Sequence, residues 1–284
     1  ALNIAIPAFN LLNGLGLMTG VGGATQFSIC RAQQDTKGAD RAFTHAVYLG
    51  LGIGALFLLL GVFGAAPLAR LLGADAETFP LTSVYLRTLL SFSPFFVMNN
   101  VLLAFVRNDG DPGRAMRGMV IGSLSNVVFD YLFIFPLGMG MFGAALATGV
   151  SPIISILLQI GHLRKTSRGF HLLRIRPKLH ALPTLCAPGL SSLIGEASSG
   201  VVLLLFNLIM LRLTGNTGVA AYGIIANLAL VAIAIFQGLS TGMQPLVSHS
   251  SGEGDHAALR RLYRYGILTA LGIATLLYVL VAVF

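Results

Sequence analysis

Charged side chains are scarce in this sequence: only 10% of its 284 residues are Asp, Glu, Lys or Arg, whereas 55% are hydrophobic. A soluble domain carries roughly 25% charged residues, so too little polar surface is available here to cover a globule in water. Long runs contain no charge at all, among them residues 1–30, 42–69 and 131–163. Because about 20 apolar residues cross a hydrocarbon core, this deficit predicts a membrane protein.

The sequence also lacks the residue patterns typical of disulfides, zinc sites, catalytic triads and phosphate-binding loops. The sequence has two cysteines, Cys30 and Cys186, near the ends of different apolar runs, which argues against a structural disulfide. Its six histidines show no zinc-ligand spacing, and no Ser/His/Asp arrangement points to an intramembrane enzyme. The glycine-rich runs lack the Gly-Lys-Ser/Thr of a phosphate loop and are better explained by close helix packing. We therefore predict no catalytic residue, no metal site, no cofactor and no enzyme activity.

The apolar runs predict an all-α membrane protein, a polytopic bundle with eight transmembrane helices. These lie near residues 1–30, 42–63, 80–106, 114–135, 139–162, 182–213, 219–250 and 257–284. The basic connection of residues 164–181 divides the chain into residues 1–163 and 182–284. A shift of 218 residues lays the last two helices over the first two, with Gly20 on Gly238 and Gln26 on Gln244. Parallel repeats of this kind occur in secondary transporters and predict two pseudo-symmetric lobes.

The distribution of basic residues predicts how the chain is oriented in the membrane and which partners it has. The net charge is +8, but a nucleic-acid-binding protein would concentrate its bases on one face or arm, and here they fall between the predicted spans. If the spans alternate in direction, fifteen of the 18 bases lie on one side, and only Arg70, Arg87 and Arg212 lie on the other. The positive-inside rule makes the first side cytoplasmic. We predict a lipid bilayer as the environment, no nucleic-acid partner and no obligate protein partner.

Two acidic residues fall at membrane depth: Asp130, in the stretch "SNVVFDYLFIF", and Glu196. An ionisable group there is costly enough to be a functional hypothesis by default. Asn126 and Ser123 share a helix face with Asp130, and Ser192 and Asn207 share one with Glu196. A carboxylate with such neighbours can hold a proton or Na⁺. The alternative is that each acid simply hydrogen-bonds a neighbouring helix.

For further polar side chains within the predicted spans, two roles are open: lining a cavity, or forming hydrogen bonds between helices. With those already named, the candidate cavity-lining residues are Gln26, Asn99, Asn100, Ser123, Ser192, Asn207 and Gln244.

Four stretches carry a family resemblance: "GVGGATQFSICRAQQDTKGADRAF", "VRNDGDPGRAM", "SLSNVVFDYLFIFPLGMGMFGAALAT" and "GLSTGMQPLVSHSSGEGD". They resemble motifs of the multidrug and toxic compound extrusion (MATE) family, particularly its bacterial members. The resemblance implies twelve helices in two six-helix lobes, of which this chain carries the second to the ninth. Residues 1–163 would then be the amino-terminal lobe without its first helix, and residues 182–284 the first three helices of the other lobe.

The resemblance also assigns roles to residues. It implies a coupling-ion site at Asn126 and Asp130, although Tyr131 follows the acid where the family usually has proline. Glu196 matches an acid that some branches carry in the first helix of the second lobe.

The expected function is that of a secondary active antiporter in a bacterial inner membrane. Such a protein exports small amphipathic organic cations in exchange for H⁺ or Na⁺. One alternative is a lipid-linked oligosaccharide flippase of the same superfamily, which would be expected to have a basic cavity. Another is a nonfunctional truncated transporter.

Overall fold

The computed structural model describes residues 2–74, 76, 78–164, 169–175 and 182–283. Outside this description are the side chains of residues 2–4, 203, 204, 207, 208, 210–212, 214–227, 230 and 281–283. The described residues contain no strand and form nine α-helices: α1 (Leu2–Ala32), α2 (Thr36–Leu71), α3 (Phe79–Ser91), α4 (Ser93–Asn108), α5 (Pro112–Ile134), α6 (Gly140–Leu163), α7 (Leu182–Cys186), α8 (Leu190–Glu253) and α9 (His256–Val283). The prediction of an all-α polytopic membrane bundle is confirmed.

Several helices are long and apolar enough to cross a membrane. By length and composition, four candidate spans lie within the described residues: α2, α6, the Val231–Glu253 part of α8, and the His256–Leu280 part of α9. Helices α3 and α4 meet the same criteria together, with a bend of 47° between them. Apolar side chains point outward along these helices, as Phe63 does with 80% of its surface exposed. Such side chains suit contact with lipid rather than water.

The span predicted near residues 80–106 is broken at Phe92, between α3 and α4. Pro94 lies in the first turn of α4 and has no backbone N–H to donate back into α3, which favours a break at this point. The Ser93 hydroxyl lies 2.6 Å from the Leu90 carbonyl and 2.8 Å from the Gly54 carbonyl of α2. A Cβ at Gly54 would lie 2.6 Å from Cα of Pro94, so glycine allows α2 to contact the bend directly.

Helix α8 differs from the sequence prediction. Two spans were expected over residues 182–250, but the backbone from Leu190 to Glu253 is one helix of 64 residues. The short connection at residues 214–218 contains no proline, so nothing in it forbids helical hydrogen bonding. Its 64 residues are about three times the roughly 20 that cross a hydrocarbon core. It is therefore longer than a single membrane crossing.

The chain divides into two compact units. The first comprises Ala1–Phe27 and Thr36–Gly200, and the second comprises Ser28–Asp35 and Val201–Phe284. Large buried side chains of α1, α3 and α4, such as Leu12, Leu90 and Val97, form the core of the first unit. In the second unit, Gly252 of α8 packs against α1, where a Cβ would lie 2.7 Å from that of Ala32. The lobe boundaries at residues 163 and 182 stay a prediction.

Candidate functional site

Asp130 lies in a cluster of polar side chains formed by three helices of the first unit. It is partly buried on α5 and lies close enough to Tyr85 of α3 for its charge to act on the phenol. Tyr85 is hydrogen-bonded to Thr148 of α6. Asn126, one turn before Asp130, donates from Nδ2 to Thr148 Oγ1 at 3.5 Å. We call Tyr85, Asn126, Asp130 and Thr148 the Asp130 cluster.

Small residues hold these helices close enough to form the cluster. On α5, a Cβ at Gly122 would lie 3.1 Å from Cβ of Ser155 on α6. Next to Thr148, Gly149 packs against the ring of Phe92 at the α3–α4 bend. Small residues at such contacts let helix backbones approach in a membrane. The close approach brings the side chains of α3, α5 and α6 within reach of one another.

The cluster supplies the oxygens that a proton or a small hard cation requires. It contains a carboxylate, a side-chain amide and two hydroxyl groups. The Thr148 hydroxyl donates to the Ala144 carbonyl at 2.9 Å, which leaves its lone pairs directed at the neighbouring side chains. Calcium and magnesium, the best-known hard cations, are bound through oxygen atoms of these kinds, and a carboxylate alone suffices for a proton.

Sequence reasoning found Asp130 and Asn126 but missed Tyr85 and Thr148. Their only signal was a hydroxyl group within an apolar run. Nothing in the linear sequence says that these two residues lie beside Asn126 and Asp130, because each belongs to another helix. Tyr85 is 8% exposed, and its ring packs in the apolar core. Its hydroxyl group belongs to the Asp130 cluster through the bond to Thr148.

Glu196 lies elsewhere in the first unit, where α8 contacts α1. A Cβ at Gly14 of α1 would lie 3.1 Å from Cβ of Glu196. Ser192, one turn earlier on α8, is partly buried, and Ser199 donates to the Gly195 carbonyl of its own helix at 2.9 Å. Glu196 is therefore at a helix–helix contact formed by helices other than those of the Asp130 cluster.

The asparagines predicted on the span near residues 80–106 lie on α4. Asn100 donates from Nδ2 to Oδ1 of Asn13 on α1 at 3.0 Å. This is a hydrogen bond between helices, which was the alternative to lining a cavity. The Oδ1 atom of Asn99 is buried and has no hydrogen-bond partner among the described residues. Ser123 is exposed on α5 and does not join the Asp130 cluster.

The remaining candidates lie in α1 and α8. Gln26 is partly buried on α1. Gln244 is partly buried on α8 and donates from Nε2 to Oγ of Ser248, one turn further on, at 3.4 Å. The side chain of Asn207 lies outside the described residues.

A separate cavity of about 460 Å³ opens between α3 and α6. Its lining is mostly apolar with one guanidinium group, and consists of Val84, Arg87, Thr88, Ser91, Phe92, Phe142 and Leu146. None of the residues predicted to line a cavity belongs to it.

Several apolar helices of spanning length, in a fold that contains no strand among the described residues, define a polytopic integral membrane protein. The chain belongs to the MatE family, whose model matches residues 1–132 and 193–284. The resemblance seen in the sequence motifs is thereby confirmed.

Relatives of known name are multidrug export proteins. The chain is 30% identical over 283 residues to the multidrug export protein MepA of Staphylococcus saprophyticus, covering 99% of this chain and 62% of that protein. It is 29% identical over 252 residues to MepA of Staphylococcus aureus strain MRSA252, covering 88% of this chain and 56% of that protein. The chain thus spans about 60% of the length of these relatives.

Solved structures show the same fold. An outward-facing multidrug resistance MATE family transporter of the MOP superfamily superposes with a TM-score of 0.91 at 28% identity, covering 100% of this chain and 63% of that one. The crystal structure of a MATE point mutant gives 0.90 at 28% identity over 99% of this chain and 64% of that one. A MOP superfamily transporter from Pyrococcus furiosus, described as having a binding pocket of reverse polarity, gives 0.85 at 28% identity, covering 95% of this chain and 60% of that one.

Proposed function

We propose that this chain is part of an ion-coupled antiporter that exports amphipathic organic cations, and that Asp130 is its coupling site. The observation that carries the proposal is the Asp130 cluster, in which α5 contributes a carboxylate and an amide, and α3 and α6 contribute hydroxyl groups. The names of the MepA relatives support multidrug export as the activity. We also propose that the membrane is a bacterial inner membrane, with the basic connections on its cytoplasmic side.

The exchange follows from the charge of one carboxylate. With H⁺ or Na⁺ bound, the site at Asp130 has no net charge and is tolerated in an apolar setting. The empty site is anionic and attracts a cation. Asn126 and Thr148 supply neutral oxygens, so the net charge of the site depends on the ion or cargo alone. A ligand shifts an equilibrium between two access states only by its differential affinity for them. Ion and organic cation would therefore have to favour opposite states.

The test is transport by the full-length protein in proteoliposomes with an imposed H⁺ or Na⁺ gradient and a fluorescent organic cation as cargo. Asp130→Asn removes the titratable charge with little change in volume, so we expect gradient-driven efflux to fall to background while expression is retained. The matched control is Glu253→Gln, because Glu253 is half exposed at the end of α8 and contacts only the exposed His249, at 3.4 Å, among the described salt bridges. Efflux by Asp130→Asn at the wild-type rate would refute the assignment.

A flippase for lipid-linked oligosaccharides is a second candidate because of Arg87. This residue lines the apolar cavity between α3 and α6, and guanidinium groups bind phosphate in bidentate fashion. If the protein is a flippase, we expect Arg87→Gln to abolish lipid translocation. If it is an antiporter, we expect the same substitution to leave cation efflux unchanged. Running the assay on the 284-residue chain alone tests the further alternative of a nonfunctional truncated transporter.

A further inference from the structure

The cavity between α3 and α6 lies apart from the Asp130 cluster, none of whose residues line it. Its lining extends along α3 from Val84 to Ser91, about two helical turns, and meets the first two turns of α6 at Phe142 and Leu146. Its volume of about 460 Å³ falls within the range of about 300–1,000 Å³ that small-molecule pockets occupy. The cavity can therefore hold a substantial part of an organic ligand.

The walls of this cavity are apolar and open to the surroundings of the helices. Val84 is 45% exposed and Phe142 is 43% exposed, and Phe92 and Leu146 complete the apolar part of the lining. In a bilayer, the apolar side chains that a membrane helix exposes are in contact with lipid chains. An acyl chain can therefore enter the cavity without leaving the hydrocarbon phase.

Arg87 supplies the positive charge of the lining, and a guanidinium group keeps its charge in proteins. Arg87 takes part in none of the salt bridges between described residues, and the Ser91 hydroxyl bonds to its backbone carbonyl, at 2.7 Å. Side chains on a helix lean toward its N-terminus, and α3 begins at Phe79, about two turns before Arg87. The guanidinium thus leans toward the membrane surface at which α3 starts.

We propose that the cavity between α3 and α6 binds an anionic phospholipid, whose phosphate pairs with Arg87 and one of whose acyl chains lies along Phe142 and Leu146. Guanidinium groups bind phosphate oxygens through two parallel N–H donors, and basic pockets between membrane helices bind anionic lipid headgroups. A soluble phosphate compound would pair with Arg87 but would leave the apolar walls uncovered, whereas a phospholipid covers both.

This lipid is a resident component of the protein rather than its cargo. A flippase passes its lipid across the membrane, whereas a resident lipid stays in the cavity and stabilises the folded protein by binding to it. The distribution of basic connections predicts that Arg87 lies on the outer side of the membrane, so the lipid comes from the outer leaflet. The site does not need Asp130, so it and the antiporter proposal can fail independently.

Native mass spectrometry of the full-length protein, titrated in detergent with dioleoyl phosphatidylglycerol, tests the site. The readout is the lipid concentration at which half of the protein carries its first bound lipid. In Arg87→Gln we expect that concentration to rise about tenfold or more, the factor for lost charge-assisted hydrogen bonds. The matched control is Arg70→Gln, which should bind the lipid like the wild type. Arg70 lies near the end of α2, with its guanidinium carbon 5.0 Å from the centroid of the Phe79 ring, and does not line the cavity.

Val84→Trp tests the apolar part of the site. Because Val84 is exposed rather than part of the core, the larger side chain can occupy the cavity without disturbing the fold. We expect it to weaken lipid binding, whereas Leu81→Trp should not, because Leu81 is 50% exposed on the same helix but lies outside the lining. Lipid binding at the wild-type level in Arg87→Gln or in Val84→Trp would refute the site, and so would an equal loss in either control.

Two comparison ligands separate an anionic lipid from other phosphate compounds. Inorganic phosphate at the same concentration should not displace the lipid, and dioleoyl phosphatidylcholine, which has a phosphate but no net charge, should bind more weakly. Displacement by inorganic phosphate would overturn the proposal in favour of a soluble phosphate compound. Equal binding of the two lipids would overturn the requirement for an anionic headgroup.

Discussion

Thr148 is the residue at which the Asp130 cluster can be tested without removing its charge. Thr148→Val replaces the hydroxyl with a methyl group of similar size. The change removes the acceptor of Asn126 Nδ2, 3.5 Å away, and the partner of Tyr85. Both side chains would then be free to rotate away from Asp130. If the cluster binds the coupling ion, the variant should bind it more weakly while its helices stay packed.

The size of the effect follows from the two lost bonds. Interhelical hydrogen bonds in membrane proteins average about 0.6 kcal/mol, so the loss of two costs about 1.2 kcal/mol, since the bond to Ala144 lies within one helix. If all of that energy is lost from the ion-bound state, the ion concentration for half-maximal transport rises about eightfold, which is the upper limit of the effect. The maximal rate at saturating ion should change little, because Asp130 still carries the charge.

The assay is ion-dependent efflux of an organic cation from proteoliposomes that contain the full-length protein. Thr148→Ser, which keeps the hydroxyl, should behave like the wild type. The matched control is Thr275→Val, because Thr275 of α9 makes the same bond to the carbonyl four residues earlier, at 2.8 Å, but has no side-chain partner among the described residues. An unchanged ion dependence in Thr148→Val, or a serine variant as weak as the valine variant, would refute the role of the cluster.

Two further predictions concern stability. Gly54→Ala should lower the unfolding free energy by about 1–3 kcal/mol, read as a lower thermal midpoint, because its Cβ would meet Pro94; Gly52→Ala, with nothing within 4 Å, should not. The N–H groups of Ala258 and Ala257 hold the pKa of Asp255 below its usual range. The carboxylate of Asp255 should therefore cap α9 above pH about 4, and the cap should be lost as the pH falls through that lowered pKa. Amide exchange at residues 257–259, corrected for the chemical rate, should then become faster; a cap insensitive to acid would contradict this.

The sequence by itself determined the protein class and singled out the central residue of the proposed site. Charge-free runs of membrane length can only be buried in lipid or in one another, so an all-helical membrane bundle follows from composition and spacing. Asp130 could be found because a carboxylate in such a run is too costly to be there without a partner.

Only the tertiary structure decided what surrounds that carboxylate. The rotation and close approach of α3 and α6 bring Tyr85 within range of the Asp130 charge and bring Thr148 against Asn126 and Tyr85. Hydropathy along the chain does not encode either feature. His162 and Phe170 likewise belong to a polar end and a connecting segment in the linear sequence, yet both are buried in the fold. Hydropathy is a property of neighbouring residues in the chain, whereas a site depends on which helix faces meet.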